Sequence, residues 1–392
     1  MRKGSTMRLA IAIVLTALAV GLTARQTAPQ DRATGRDWNR EGAARYLDAR
    51  MDAWFANATR LRTGQAQTGC VSCHTTIPYA LARPRLRQAM HAGTATPQEL
   101  RLVEDVTRRV KTYGTQQLLY EFNDVKKAES RGTEAVLNSL ILASAVEGQN
   151  RRDPSEPTRK AFARLWETQR PDGSWDWLQF GLEPFESVNA PYHGATLAAL
   201  AVGTARGMAT DQAAKAGIEK LRGYLTENYV QQSLFNRTWL LLASTRLKDL
   251  LARAPREALI GDLQSRQRDD GGWSLETLGP WRWGKTIPPF AAPGILDGSL
   301  LAKSDGYATG LIVYTLREAG LAVDHPAVRK GLQWLRANQQ DIQVDQQTWQ
   351  IWRAHSLNFD REHGGEKGQS LRRLFMSDVA TAFAVLALSA SD

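Results

Sequence analysis

Hydrophobic and polar positions follow two alternating patterns along the chain after about residue 38. Segments of the first kind are apolar nearly all round, and helices of that composition must be enclosed by other helices. Segments of the second kind are amphipathic, with apolar residues at helical spacing and charged residues opposite. Clear examples are 195–205 (ATLAALAVGTA) and 379–389 (VATAFAVLALS) for the first kind, and 158–169 (TRKAFARLWETQ) and 328–339 (VRKGLQWLRANQ) for the second. The alternation predicts an all-α fold of helical hairpins.

The amphipathic segments repeat in sequence and share a loop. Residues 158–169 align with 328–339 without a gap, and two amphipathic segments continue into similar loops, 169–175 (QRPDGSW) and 267–273 (QRDDGGW). Glycine there permits the positive φ that ends a helix. The Gln can bond backbone groups left open at helix ends, and the Trp offers a buried N–H donor. The segment 338–349 (NQQDIQVDQQTW) is interpreted as a degenerate third copy.

The Q-x-x-x-G-x-W pattern resembles the QW motif of the squalene–hopene cyclase and prenyltransferase β-subunit class. The resemblance covers most of 130–392 and implies an α/α toroid, a closed ring of inner helices inside a ring of outer helices. An open helical solenoid is the structural alternative. The chain lacks the Asp-x-Asp-Asp acid motif and the Asp-Asp-x-x-Asp magnesium motif of that class, and Asp269 and Asp270 lie inside a turn-like loop. The chemistry of the class is therefore not expected.

The first residues predict a signal peptide. Arg2 and Lys3 precede an apolar core at 9–22, and Ala24 provides a small residue for cleavage. The core is shorter than the roughly 20 residues of a spanning helix. We expect an exported, periplasmic protein with no stable membrane span after cleavage. The predicted organisation is a signal peptide at 1–24, a flexible lead-in at 25–37, first helical hairpins at 38–130 and the toroid of QW repeats at 131–392.

The formal net charge is +10, but its distribution does not indicate nucleic-acid binding. Positive residues are spread along the chain and interrupted by acidic ones, so they are interpreted as a solvated surface. A mild attraction to anionic lipid or to an acidic protein partner is the functional alternative.

Both cysteines lie in the sequence Cys70-Val71-Ser72-Cys73-His74. This Cys-x-x-Cys-His pattern is typical of covalent haem c attachment: Cys70 and Cys73 each form a thioether, and His74 becomes an axial iron ligand. A Cys70–Cys73 disulfide is the structural alternative in an exported protein. A zinc site lacks further ligands at suitable spacing, and a thioredoxin-like role lacks a βαβ context.

Candidates for the sixth iron ligand are Met90, His91 and His193, or no residue at all. His193, Asp305 and Asp378 each precede or begin an apolar segment, so they are expected either as helix caps and hydrogen-bonded core groups or as a polar rim around a ligand pocket. The loop 279–294 (GPWRWGKTIPPFAAPG) is interpreted as a lid, a pocket wall or ordinary packing.

The sequence thus predicts an exported c-type haem protein on a cyclase-like toroid, active in electron transfer or haem-based ligand binding, with a redox partner protein. The alternatives are a periplasmic enzyme or a binding protein for an isoprenoid or another apolar small molecule.

Overall fold

The computed structural model describes residues 37–148, 154–205, 207–281, 302–344, 346–358 and 373–390. Within these ranges the chain forms α-helices and two β-hairpins. The helices are α1 (Arg40–Asn57), α2 (Thr76–Ala89), α3 (Pro97–Lys111), α4 (Asp124–Gly148), α5 (Glu156–Glu167), α6 (Ala190–Thr204), α7 (Lys215–Glu227), α8 (Leu234–Ser244), α9 (Arg253–Ser265), α10 (Gly306–Glu318), α11 (Pro326–Ala337) and α12 (Phe375–Ser389). The hairpin strands are β1 (Arg60–Thr63), β2 (Ala66–Gly69), β3 (Gln340–Val344) and β4 (Gln347–Ile351).

The even-numbered helices form a closed inner ring. α2 packs on α4, α4 on α6, α6 on α8, α8 on α10 and α10 on α12, and α12 packs back against α2. Helices α6, α10 and α12 are buried along most of their length, as their apolar composition predicts. The contact between α12 and α2 distinguishes a closed toroid from an open solenoid. The predicted all-α toroid is confirmed.

The outer helices are amphipathic, and small residues let the inner ones pack closely. Helix α11 buries Val328, Leu332 and Leu335, while its charged residues face away from the core. In the inner ring, a Cβ at Gly310 of α10 would lie 2.6 Å from the backbone of Phe383 in α12. Any side chain at this position would push the two helices apart.

No helix in the described ranges combines the length and the apolarity needed to cross a bilayer. The predicted signal peptide and nearly all of the lead-in lie outside those ranges, so both stay predictions.

The predicted QW loop at 169–175 links two outer helices. The Gln169 side chain donates to the carbonyl of Gly173 in its own loop (3.1 Å) and to that of Gly217 in α7 (2.9 Å). The Trp175 indole donates to the Leu165 carbonyl of α5 (2.9 Å). The indole thereby pairs a carbonyl that the C-terminal end of α5 leaves open, and the Gln169 side chain links the loop to α7.

The second QW loop repeats this arrangement. Gln267 donates to Gly271 (2.8 Å) and to Ala327 of α11 (2.9 Å), and the Trp273 indole donates to Leu263 of α9 (2.7 Å). The link between neighbouring helical hairpins, proposed from the sequence, is confirmed at both loops.

The third and first copies differ from their expected alignments because each contains a β-hairpin. In the third, Trp352, not Trp349, donates to the Leu335 carbonyl (2.7 Å), since β3 and β4 intervene. In the first, Gln65 is exposed at the turn between β1 and β2, so its alignment with the QW glutamines is wrong. The cysteine motif nevertheless lies directly before an inner helix, as predicted.

Helix α1 lies across the outside of α2. At its start, the side chain of Gln339 accepts from the backbone N–H of Asn39 (2.7 Å). At its middle, Asp48 accepts from Tyr79 (2.8 Å) and from Arg83 (2.9 and 3.0 Å) of α2. Helix α1 therefore connects the last helical hairpin with the first.

Candidate ligand site at the N-terminal end of the inner ring

The residues singled out in the sequence gather where the inner helices begin. His193 lies in the first turn of α6 and Asp378 in that of α12, and Asp305 caps α10. We call this region the N-terminal end of the ring. The predicted common location of these three residues is confirmed, but each is held in a different way.

The cysteine motif forms an ordered turn between β2 and α2. The Ser72 hydroxyl accepts from the backbone N–H groups of Thr75 and Thr76 (3.2 Å each). The Trp54 indole of α1 donates to the carbonyl of Cys70 (2.7 Å). Cys70 and Cys73 are half-buried free thiols, with no disulfide between them.

His74 packs between aromatic rings. Its imidazole stacks on Phe375 of α12 with ring centroids 3.7 Å apart, and Trp54 approaches edge-on at 5.6 Å. Its Nδ1 lies 3.0 Å from the Thr75 hydroxyl oxygen. Because that hydroxyl gives its own proton to Asp378, the Nδ1–H of His74 is the donor in this pair.

Asp378 is the centre of a buried polar network. It accepts from Thr75 (2.9 Å), from Tyr46 (2.7 Å) and from two nitrogens of Arg50 (2.6 and 3.1 Å). Burial and the neighbouring Asp378 carboxylate raise the pKa of the Tyr46 hydroxyl well above its ordinary value. The network fixes the His74 ring through Thr75 and connects α1 to α12.

The two thiols are poor nucleophiles in these surroundings. Burial raises the pKa of Cys70 to about 11. Burial and the Glu186 carboxylate raise the pKa of Cys73 still further. Since the thiolate is the reactive form of cysteine, catalysis by a cysteine nucleophile is not supported. Within the described part of the chain, no three His, Cys, Asp or Glu side chains converge to hold a metal ion.

Asp305 is both a helix cap and a buried acid. Its carboxyl group accepts from the N–H groups of Tyr307 and Ala308 (2.9 Å each) and of Leu275 (2.5 Å). Burial raises the pKa of Asp305 to about 6, although the three backbone donors act in the opposite direction. The capping role considered from the sequence is confirmed.

His193 is enclosed by aromatic side chains. Its ring centroid lies 4.9 Å from that of Trp239, 5.5 Å from that of Phe235 and 5.7 Å from that of Phe185. Only 1% of its surface is exposed, and burial lowers its pKa to about 3, so the imidazole is neutral at ordinary pH. Its Nδ1 has no hydrogen-bond partner among the described residues.

Two further buried polar atoms nearby lack partners in the described chain: the indole nitrogen of Trp239 and the hydroxyl of Tyr307. The Trp239 indole is close enough to lower the pKa of Tyr307 but does not reach hydrogen-bonding geometry. Burial, the largest effect on that hydroxyl, raises its pKa well above the ordinary value, and Cys73 and Asp305 add to this. The side chains around these atoms form the aromatic cluster, which consists of Phe185, His193, Phe235, Trp239, Tyr307 and Phe383.

The sequence indicates His193 as a candidate site residue, but it does not indicate the polar neighbours Trp239 and Tyr307. Trp239 lies within an apolar run (TWLLLAS), and Tyr307 follows a capping Asp305, so both look like core residues in the sequence. Trp281 of the predicted lid segment is half-buried, 5.7 Å from Phe235, and donates to the carbonyl of Glu276 (2.9 Å). The following residues, 282–301, are outside the described ranges.

The sixth-ligand candidates lie at opposite ends of the ring. His74 precedes α2 and Met90 and His91 follow it, and a helix of 14 residues is about 21 Å long. Met90 and His91 therefore cannot reach a group bound at His74. Of the three named candidates, His193 alone lies at the same end as the cysteine motif.

Comparisons with known proteins give a fold likeness and no family. No family model matches the chain, and no curated protein matches it. Among solved structures, the chain is similar to an unsaturated glucuronyl hydrolase from Bacillus sp. GL1, described as responsible for the degradation of glycosaminoglycan. The two chains are 11% identical, the match covers 89% of this chain and 95% of the other, and the TM-score is 0.49.

These findings correct the assignment drawn from the sequence. The similar structure is a hydrolase and not a squalene cyclase, a prenyltransferase or a cytochrome. The described residues contain no group of three or more His, Cys, Asp or Glu side chains that could hold a metal ion. The resemblance to the cyclase and prenyltransferase class and the expected function in electron transfer or haem-based ligand binding are therefore wrong. The α/α toroid is not affected by this correction, because Q-x-x-x-G-x-W loops can link the hairpins of a helical ring irrespective of the chemistry of the protein.

Proposed function

We propose that the protein is a hydrolase whose substrate carries a hydroxyl-bearing ring, such as a sugar, and that this ring binds in the aromatic cluster. The observation that carries the proposal is the group of three buried polar atoms without partners among the described residues, Nδ1 of His193, Nε1 of Trp239 and the hydroxyl of Tyr307. Leaving such an atom unpaired in an apolar interior costs about 1–3 kcal/mol. A ligand that pairs with them recovers this free energy on binding.

The chemistry of the cluster limits the class of ligand. The Trp239 indole only donates, the Tyr307 hydroxyl donates and accepts, and a neutral His193 can do either at Nδ1. Hydroxyl groups complement all three atoms, since they also donate and accept. The rings of Phe185, Phe235 and Phe383 offer apolar surfaces to the C–H groups of a sugar.

Two carboxyl groups supply acid–base chemistry to this site. The Asp305 carboxylate contributes to the raised pKa of Tyr307. The Glu186 carboxylate contributes to the raised pKa of Cys73, and Cys73 contributes to that of Tyr307. We assign Asp305 the role of general acid, since its pKa of about 6 keeps part of it protonated near neutral pH. In the proposed reaction Asp305 protonates the leaving oxygen as the bond to it breaks. Glu186 takes a proton from the attacking water.

The experiment is calorimetric titration of the purified protein with a panel of mono- and oligosaccharides, followed by product analysis. We expect at least one saccharide to bind, and Trp239→Phe and Tyr307→Phe each to weaken it two- to tenfold, the usual loss for one neutral hydrogen bond of about 0.5–1.5 kcal/mol. Tyr192→Phe is the matched control, because the Tyr192 hydroxyl already donates to the Leu225 carbonyl (2.8 Å).

Asp305→Asn separates binding from hydrolysis. Asn keeps one oxygen for the helix cap but loses the acceptor of the Leu275 N–H, so the variant should be less stable than the wild type. It should still bind the saccharide but release no product. A wild-type protein that binds no saccharide would contradict the proposed substrate class. Undiminished hydrolysis by Asp305→Asn would contradict the catalytic assignment.

Covalent haem c on Cys70 and Cys73 with His74 as axial ligand stays a separate prediction of the sequence. So do export to the periplasm, a redox partner protein and an apolar small-molecule ligand. The support for His74 is its hydrogen bond to Thr75, since imidazoles that bind metals are commonly oriented through their second nitrogen.

A further inference from the structure

The opposite end of the ring contains a large cavity. Its volume is about 1300 Å³. Its wall is formed mainly by the later turns of the inner helices and the residues that follow them, together with the start of α1 and with Ala80 and Leu81 in the second turn of α2. Residues that bear on its chemistry are Trp38, Arg85, Arg246, Tyr314, Glu318 and Ser389. None of the six residues of the aromatic cluster lines this cavity.

Two arginines share one carboxylate in the cavity wall. Glu318 is 3.3 Å from Arg85 through one oxygen and 2.8 Å from Arg246 through the other. The Arg85 guanidinium also lies 5.4 Å from the ring centroid of Tyr314. These three charged groups carry a net charge of +1. The carbonyl ends of the inner helices contribute partial negative charge at this end of the ring, so an anion is expected against the guanidinium groups and away from the helix ends.

Two residues of the cavity wall each contain a buried polar atom that has no partner within the described ranges. The Trp38 indole nitrogen is unpaired although Trp38 is only 4% exposed, and the Ser389 hydroxyl oxygen is also buried and unpaired. An indole N–H can only donate, and a serine hydroxyl can donate as well. The cavity wall thus contains two guanidinium groups that share one carboxylate, and hydrogen bonds from guanidinium groups to oxyanions are among the strongest in proteins.

We propose that this cavity binds an organic oxyanion, a carboxylate or a phosphate on a small carbon body, with Arg85 and Arg246 as its charged contacts. Leu81, Leu200 and Leu242 provide apolar wall for the carbon body. The site is distinct from the aromatic cluster, and its existence does not depend on the proposed hydrolase activity.

The test is calorimetric titration of the full chain with phenylacetate, phenyl phosphate and the neutral phenylacetamide. We expect one or both anions to bind, which distinguishes a carboxylate from a phosphate preference, and the amide not to bind. Arg246→Gln should weaken anion binding at least about tenfold, the usual loss of one charge-assisted hydrogen bond. Glu318→Gln should strengthen it, because the arginines then lose their competing carboxylate.

Arg253→Gln is the control for net charge, since Arg253 is 89% exposed and pairs with Glu257 on the surface of α9. It should leave anion binding unchanged. Binding of the neutral amide as tightly as the anions, or equal losses in Arg253→Gln and Arg246→Gln, would overturn the proposal. If Arg246→Gln does not fold, unchanged or weaker binding by Glu318→Gln would overturn it independently.

Discussion

The Thr75 hydroxyl donates a 2.9 Å hydrogen bond to the carboxylate of Asp378, residues that are 303 positions apart in the sequence. Thr75 immediately precedes the first inner helix and Asp378 lies in the first turn of the last one. The bond therefore spans the point where the ring closes. Arg50 and Tyr46 complete the contacts of the carboxylate and join α1 to the same point.

Removing the Asp378 carboxylate should destabilise the fold strongly. Asp378→Ala removes the carboxylate that pairs with the buried Arg50 guanidinium, which typically costs about 3–5 kcal/mol. Thr75→Val removes a donor to the charged carboxylate and the acceptor of the His74 Nδ1–H, so it should cost about 1.5–3 kcal/mol. Urea unfolding of both variants measures these losses. Glu257→Ala, on the exposed pair with Arg253, is the control and should change stability by less than about 1 kcal/mol. A similarly small loss for Asp378→Ala would contradict the role of the network.

Asp305 should make stability fall as pH rises. Its pKa is raised from 3.8 to about 6 in the folded protein, so the folded state holds the proton more tightly than the unfolded state. The stabilisation is complete below pH 3.8 and is lost as pH rises through about 6. The expected change is at most about 3 kcal/mol.

The measurement is the difference in unfolding free energy between wild type and Asp305→Asn across that pH range. The subtraction removes the opposite contribution of His193, whose lowered pKa destabilises the folded state as pH falls. A difference that is independent of pH would show that Asp305 titrates normally in the folded protein.

The covalent haem prediction has a simple chemical readout. Protein exported from a host with haem c maturation machinery should carry one haem that survives denaturation, visible as added mass on the intact chain. Cys70→Ser with Cys73→Ser should abolish it, because both thioethers are lost. An unmodified wild-type chain, with both cysteines still reactive toward alkylating agents after unfolding, would contradict covalent haem attachment.

Local periodicity predicted much of the fold. The apolar run at 379–389 became the buried helix α12, and the loops at Gln169 and Gln267 link the hairpins as expected. The β-hairpins were missed because their strands are only four or five residues long. In β1 the exposed Arg60 and Arg62 alternate with the buried Leu61 and Thr63, and this alternation in the sequence could have indicated a strand.

The candidate site was only partly predictable, since its members come from separate inner helices. His193 and Asp305 stand out as polar residues beside apolar runs, and both lie at the predicted end. Trp239 and Tyr307 do not stand out, because an aromatic residue in an apolar run is ordinarily core. Only the three-dimensional structure shows that their polar atoms lack partners among the described residues.

The proposed ligand site in the aromatic cluster is tested most directly by unfolding Tyr307→Phe and Tyr192→Phe without ligand and comparing their stabilities. Within the described chain the Tyr307 hydroxyl has no hydrogen-bond partner, whereas the Tyr192 hydroxyl donates to the Leu225 carbonyl. We expect Tyr307→Phe to leave the free energy of unfolding unchanged or to raise it, and Tyr192→Phe to lower it by about 0.5–1.5 kcal/mol. An equal loss in both variants would show that the Tyr307 hydroxyl is already satisfied in the free protein, and would contradict the ligand site.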